Sequence, residues 1–221
     1  MILKISLMIK LMLKFLKIMT IRISRGNMDK LKPYLIGISG KAGCGKSTLA
    51  NIILNNSVMF QPPFVKYSIM DFLKDMLARK YNIPLEKFYS QEGKNSVIDN
   101  TDYGILTIRD LLIKVSYEYR AKYGNAYWII QLFANKLDFV NNCILIDDVR
   151  YVEEADFIKN DGGILLRIEP YPGYVKPSYG DHESETSLDN YDDFDIVFTP
   201  EYGKLEQYFK NYFRIEGKKN A

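Results

Sequence analysis

Histidine is almost missing from this chain: His182 is the only one in 221 residues. That excludes a metal centre built on several imidazoles. Cysteine is nearly as scarce. Cys44 lies in a glycine-rich stretch and Cys143 in an apolar run, and the two fit no metal-ligand spacing. They read as reduced thiols of a cytoplasmic, cytosol-like compartment. Neither sign of charge dominates. A formal net charge of +3 is too small to argue for nucleic acid as the main partner. No apolar run reaches the roughly 20 residues needed to span a bilayer. What remains, 47% hydrophobic and 26% charged residues, is the make-up of a globular α/β domain.

The first stretch is of different material. Residues 1–24 are apolar with Lys4, Lys10, Lys14 and Lys17 interspersed. At about 100° per residue these lysines share one arc of a helix, opposite a wide apolar face. Residues 1–27 therefore read either as a basic amphipathic extension, anchoring or targeting, or as a dispensable leader before Met28. Membrane contact is open only through residues 1–24.

From residue 28 to 221 short β-rich runs alternate with helical patterns. Strands are expected at Leu35–Ser39, Phe64–Tyr67, Cys143–Asp147, Ile164–Ile168 and Asp195–Phe198. Helices are expected at Lys46–Leu54, Met70–Lys80, Ile108–Lys122, Trp128–Phe139, Val152–Asn160 and Tyr202–Phe213. Near-continuous apolar strands separated by helices imply an α/β fold with a five-stranded parallel sheet covered on both faces. Ser90–Gly104 and Pro170–Ser187 read as long mobile loops, the second as a lid at about 170–188.

Gly40-Lys41-Ala42-Gly43-Cys44-Gly45-Lys46-Ser47 matches the phosphate-loop pattern GxxxxGK[ST], with Thr48 next. An apolar strand precedes it and a helical pattern follows, which is the context the motif requires. Glycines let the backbone turn its N–H groups onto phosphate oxygens, and the helix start adds positive charge. Lys46 is placed to reach the β- and γ-phosphates of ATP, and Ser47 to ligate Mg2+.

Two more places suit anions or metal. The run from Cys143 ends in Asp147 and Asp148, where a carboxylate can hold Mg2+, and Arg150 follows to neutralise a transferring phosphoryl group. A solvated strand end with an ion pair is the plain alternative. Thr107 and Asp110 read as a capping box opening a helix, with Arg109 in its first turn. A guanidinium is unhelpful to the helix dipole there unless an anion sits nearby.

These residues also carry a resemblance. Asp148-Val149-Arg150-Tyr151 with Glu154-Ala155, Thr107-x-Arg109-x-Leu111-Leu112, Tyr127-Trp128, Ser68-x-x-Asp71-x-Leu73-Lys74 and His182-x-Ser184-Glu185-x-x-Leu188 resemble, in order, elements of the bacteriophage-type deoxynucleoside monophosphate kinases. The resemblance implies a P-loop, adenylate-kinase-like fold with lid and substrate-binding insertions, using ATP and Mg2+. It implies Lys46, Ser47 and Asp148 around nucleotide and metal. It puts Asp71, Lys74, Arg109, Trp128, Arg150, His182 and Glu185 toward the acceptor. Ile69-Met70 replaces the family's usual Phe-Ala, and the lid is poor in arginine. The segment from Glu183 to Asp195 also closely resembles animal-type phosphomevalonate kinase, which would share donor and sheet and change the acceptor; the elements at Thr107–Leu112 and Tyr127-Trp128 favour the nucleotide. A nucleotide-binding regulatory module without an acceptor is the alternative from another class, disfavoured by the expectation that no N/TKxD guanine-specificity pattern is present.

Residues 1–27 contribute no group to this site. A chain beginning at Met28 is expected to express in soluble form and keep its turnover. Loss of either on truncation would show that the amphipathic stretch packs on the domain.

Overall fold

The computed structural model describes residues 35–56, 62–138, 141–175, 183–201 and 203–212. The expected N-terminal extension and His182 lie outside them. In chain order, β1 (Leu35–Gly40) leads into α1 (Lys46–Asn55) and β2 (Phe64–Tyr67). Next come α2 (Asp71–Tyr81), a 3-10 turn (Leu85–Phe88), α3 (Gln91–Asn95), β3 (Val97–Ile98) and β4 (Leu106–Thr107). Then α4 (Ile108–Tyr123), α5 (Tyr127–Asn135), β5 (Cys143–Val149), α6 (Val152–Asn160) and β6 (Ile164–Ile168) follow. The described chain ends with α7 (Glu183–Thr186), β7 (Ile196–Phe198) and α8 (Leu205–Tyr212). No described helix is long and apolar enough to cross a membrane.

The chain divides into two compact units: residues 69–137, and a second unit whose described parts lie within 35–68 and 138–212. The second holds all five strands expected from the sequence. They form one parallel sheet in the order β2-β5-β1-β6-β7. This is the α/β arrangement expected from the sequence, with the phosphate-loop motif following β1. One face of the sheet carries Ile36, Ile38, Leu145, Leu166, Ile168 and Phe198, which pack with Leu49 and Ile53 of α1 and Leu205 and Phe209 of α8. The other face meets α6. There Gly37 makes close approach possible: a β-carbon on it would lie 2.6 Å from the Ile158 Cδ1 of α6. Both faces being covered is why the strands are almost unbroken apolar runs.

β1 and β5 run in register from Leu35↔Ile144 to Gly37↔Ile146 and then slip, so that Ser39 pairs with Val149. Asp147 and Asp148 occupy that irregularity. Strand irregularities of this kind re-aim side chains at sheet ends. Simple alternation along the sequence does not reveal it.

Residues 69–137 pack around Leu73, Leu77, Phe88, Leu111, Trp128, Ile129 and Leu132, all at most 1% exposed. α4 opens with the expected capping box: Asp110 N–H donates to Thr107 Oγ1 at 3.1 Å, and Thr107 N–H to Asp110 Oδ2 at 3.3 Å. The expectation of a loop over Ser90–Gly104 needs correction. That stretch contains α3 and β3, because Ser90 Oγ accepts the Gly93 N–H at 2.9 Å and caps a helix too short to show apolar periodicity. The helix begun at Tyr127 ends at Asn135, short of Phe139.

Gly37→Ala is expected to lower stability by about 1–3 kcal/mol, since three side chains must give way to one methyl group. The urea midpoint reads this. An unchanged midpoint would mean α6 is not seated on β1 as described.

Candidate active site

The phosphate loop occupies the turn from β1 to α1. Gly40, Gly43 and Gly45 have φ of 150°, 81° and 108°, values that side-chain-bearing residues rarely adopt. At Gly40 a β-carbon would also lie 2.6 Å from both Cys44 Sγ and the Ile168 carbonyl oxygen. α1 starts after Gly45 with no side-chain cap and no acid in its first turn. Its first N–H groups thus present positive charge without a carboxylate of their own. Lys46 folds back, and its Nζ donates to the carbonyls of Gly40 at 2.7 Å and Lys41 at 2.8 Å. Burial holds its ammonium below the ordinary lysine pKa, and Arg150 lowers it further. Burial likewise raises the Cys44 thiol. Ser47 and Thr48 are exposed at the start of the helix.

An anion already lies against this loop, and it is a side chain. The Glu185 carboxylate, 3% exposed, accepts the Ala42 N–H at 2.7 Å and pairs with the Arg150 guanidinium. Burial alone would lower the Arg150 pKa, but the Glu185 charge overcomes it and the group stands above the usual arginine value. Arg150 is fixed from behind: its own N–H and that of Tyr151 donate to Glu154 Oε2 at 2.9 Å and 3.2 Å. Four residues beyond Glu185 and past the end of α7, Asp189 binds Lys41 of the loop and the buried Arg167, which also donates to Ser39 Oγ at 3.1 Å. The segment from Glu183 thus grips the phosphate loop at two points. The sequence places Glu185 toward the acceptor; the structure places it on the loop. Asp189 and Arg167 were missed, because only the fold brings them to Lys41.

At the end of β5, Asp148 Oδ2 accepts from Ser68 Oγ at 2.5 Å and Asp147 Oδ2 from Lys66 Nζ at 3.2 Å. Among the described residues, no group of three or more His, Cys, Asp or Glu could hold a metal ion alone. Mg2+ brought in on a nucleotide needs only one or two carboxylates beside phosphate oxygens. Asp148 is a carboxylate of that kind, and the Ser47 hydroxyl is a further oxygen donor.

In the unit of residues 69–137, Asp71 Oδ1 accepts from Lys74 Nζ and from Tyr89 OH, each at 2.9 Å. Lys74 Nζ also lies 4.3 Å from the Tyr89 ring centroid. Arg109, exposed in the first turn of α4, donates to Gln91 Oε1 at 2.8 Å and to Asn95 Oδ1 at 3.3 Å. Both partners are neutral amides, so its charge is positioned without being cancelled.

No protein-family model matches the chain. A protein of Acanthamoeba polyphaga mimivirus that carries the provisional name deoxynucleotide monophosphate kinase is 30% identical over 175 residues, covering 74% of this chain and 86% of the relative. This chain belongs to the deoxynucleotide monophosphate kinase family. Cytidylate kinase 2 of Borreliella burgdorferi is 34% identical over 68 residues, 31% of each chain. Both relatives are named for nucleotide acceptors, and neither for an isoprenoid phosphate.

The chain is therefore a nucleotide kinase, and two sequence readings change with that. Trp128 was placed with the substrate-binding residues. It is 0% exposed, its indole N–H donates to the Ser116 carbonyl at 3.2 Å, and its ring packs on Tyr119 and Tyr127. It is a core residue of the kinase. The run Asn135-Lys136-Leu137-Asp138 spells the N-K-x-D pattern of guanine-specific switches, so the expectation that the chain lacks this pattern is corrected. Its polar groups are spent locally. Lys136 pairs with Asp75, the Asn135 amide donates to the Gln131 carbonyl at 2.9 Å, and Asp138 Oδ2 accepts from the Asn141 amide at 2.7 Å.

Glu185→Ala would strip the Ala42 N–H and Arg150 of their shared acceptor. Leaving such groups unsatisfied costs about 1–3 kcal/mol. In the nucleotide-free kinase Tm is expected to fall by about 2–4 °C for each kcal/mol lost. An unchanged Tm would show that the carboxylate does not hold the loop.

Proposed function

We propose that this kinase transfers the γ-phosphoryl group of ATP to a deoxynucleoside monophosphate, giving ADP and the deoxynucleoside diphosphate. The observation that carries the reading is the Glu185 carboxylate seated on the Ala42 N–H and Arg150. A carboxylate there is a stand-in for a phosphate oxygen, and ATP takes over both donors when it displaces the side chain. Lys46 then leaves the loop carbonyls for the β- and γ-phosphates. Ser47 and Asp148 would hold Mg2+, which would supply charge neutralisation to the donor phosphates. Arg150 neutralises charge gathering on the transferring group.

The acceptor phosphate belongs, in this reading, to residues 69–137. Arg109 meets it with a planar fork and Lys74 with a point charge, while Asp71 keeps Lys74 in place. An oxygen of the acceptor phosphate attacks the γ-phosphorus as the bond to the bridging β-γ oxygen breaks, and ADP leaves with that oxygen. A phosphomonoester oxygen is a nucleophile at neutral pH, so no strong base is required. Both named relatives support a nucleotide as acceptor over mevalonate 5-phosphate. The two free thiols suit a cytoplasmic enzyme.

The test is kinetic. Lys46→Ala is expected to lower kcat by at least about 10²-fold. Arg109→Lys is expected to raise the KM for the deoxynucleotide while ATP affinity, measured by calorimetry without acceptor, stays put. Near wild-type turnover of Lys46→Ala would remove the donor assignment. Weakened ATP binding by Arg109→Lys would move Arg109 to the donor side.

A further inference from the structure

We propose that Lys94 is a third residue holding the acceptor phosphate, completing with Lys74 and Arg109 a cradle of three cations. This rests on the acceptor assignment above and names a residue that the sequence motifs leave out. Arg109 reaches across to α3 and is held there by Gln91 and Asn95. At 3.6 residues per turn, positions 91, 94 and 95 share one face of a helix, so Lys94 stands on the face that carries the guanidinium. Lys74 is tied to the same neighbourhood. Its partner Asp71 binds Tyr89, and the next residue, Ser90, is the cap of α3. The position is built closely: a β-carbon on Gly93 would lie 2.5 Å from the Lys87 Cα and carbonyl oxygen.

Charge in this cluster is left unbalanced. Asp71 already serves Lys74 and Tyr89, Asp110 serves the cap of α4, and Asp75 serves Lys136. Glu92 lies about 160° around α3 from Lys94, on its opposite side. Burial, with Lys74 and Arg109 nearby, lowers the Lys94 pKa from the ordinary lysine value. Bringing like charges together costs free energy that a bound dianion returns, and a phosphate monoester is such a dianion. The neutral amides of Gln91 and Asn95 orient Arg109 without competing for that role.

The experiment uses the full chain and compares wild type, Lys94→Met and Lys94→Arg. Each is tested for its KM for a deoxynucleoside monophosphate, its affinity for ATP, and its affinity for the matching deoxynucleoside, which has the base and sugar but no phosphate. Lys94→Met is expected to raise the monophosphate KM about 10-fold or more, the loss of one charge-assisted contact. Lys94→Arg should recover most of that. ATP affinity should not change, and deoxynucleoside affinity should fall less than twofold. An unchanged KM in Lys94→Met overturns the inference and leaves the proposed function standing. Equal loss of monophosphate and deoxynucleoside affinity also overturns it, because a purely structural residue would act on both. If wild type phosphorylates no deoxynucleotide, the proposed function and this inference fall together, and the wild-type assay alone reveals that case.

Discussion

The turn from β1 into α1 gathers uncapped backbone N–H groups and one partly buried ammonium around a space that an anion balances best. Much of the kinase answers to that constraint. Glycines at 40, 43 and 45 give the loop its curvature, and the tight contact at Gly40 sets it on β6. The irregular end of β5 carries Asp148 and leads to Arg150, whose backbone Glu154 pins. Without nucleotide the chain supplies its own anion in Glu185, and Asp189 secures the loop through Lys41. The compensation is consistent with the rule that buried cations are paired or hydrogen-bonded.

Residues 69–137 solve a different electrostatic problem. Here Arg109 rests on amides, and Lys74 and Tyr89 share one carboxylate. Positive charge is held in place and left available. A guanidinium fixed by neutral partners suits an anionic ligand that arrives and departs, because Arg109 need not break an ion pair each time. The two arginines are therefore met in opposite ways, Arg150 by the carboxylate of Glu185 and Arg109 by the amides of Gln91 and Asn95.

Much of this could be read from the residues alone. The phosphate loop and the five strands follow from a complete motif and from apolar runs whose faces are both covered, and the sheet forms from those runs. The capping box at Thr107 and Asp110 was legible because its spacing is local. What escaped reading depends on long-range packing or on very short elements. α3 has five residues and no apolar stripe, so its cap and the close approach at Gly93 define it. Trp128 looked like a ligand contact and is core, since aromatic residues beside a helix start read alike until burial is known. Glu185 was singled out from the sequence toward the acceptor, and its contacts with Ala42 and Arg150 were not legible because the fold alone brings them to it.

The central claim is that a phosphorylated deoxynucleoside accepts the γ-phosphoryl group. One measurement tests it most directly: a screen of purified full-length chain with ATP and Mg2+ against the deoxynucleoside monophosphates, the ribonucleoside monophosphates and mevalonate 5-phosphate, read as ADP and phosphorylated product. The account predicts diphosphate product from at least one deoxynucleoside monophosphate and none from mevalonate 5-phosphate. Product from mevalonate 5-phosphate alone, or ATP hydrolysis indifferent to every acceptor, would contradict it.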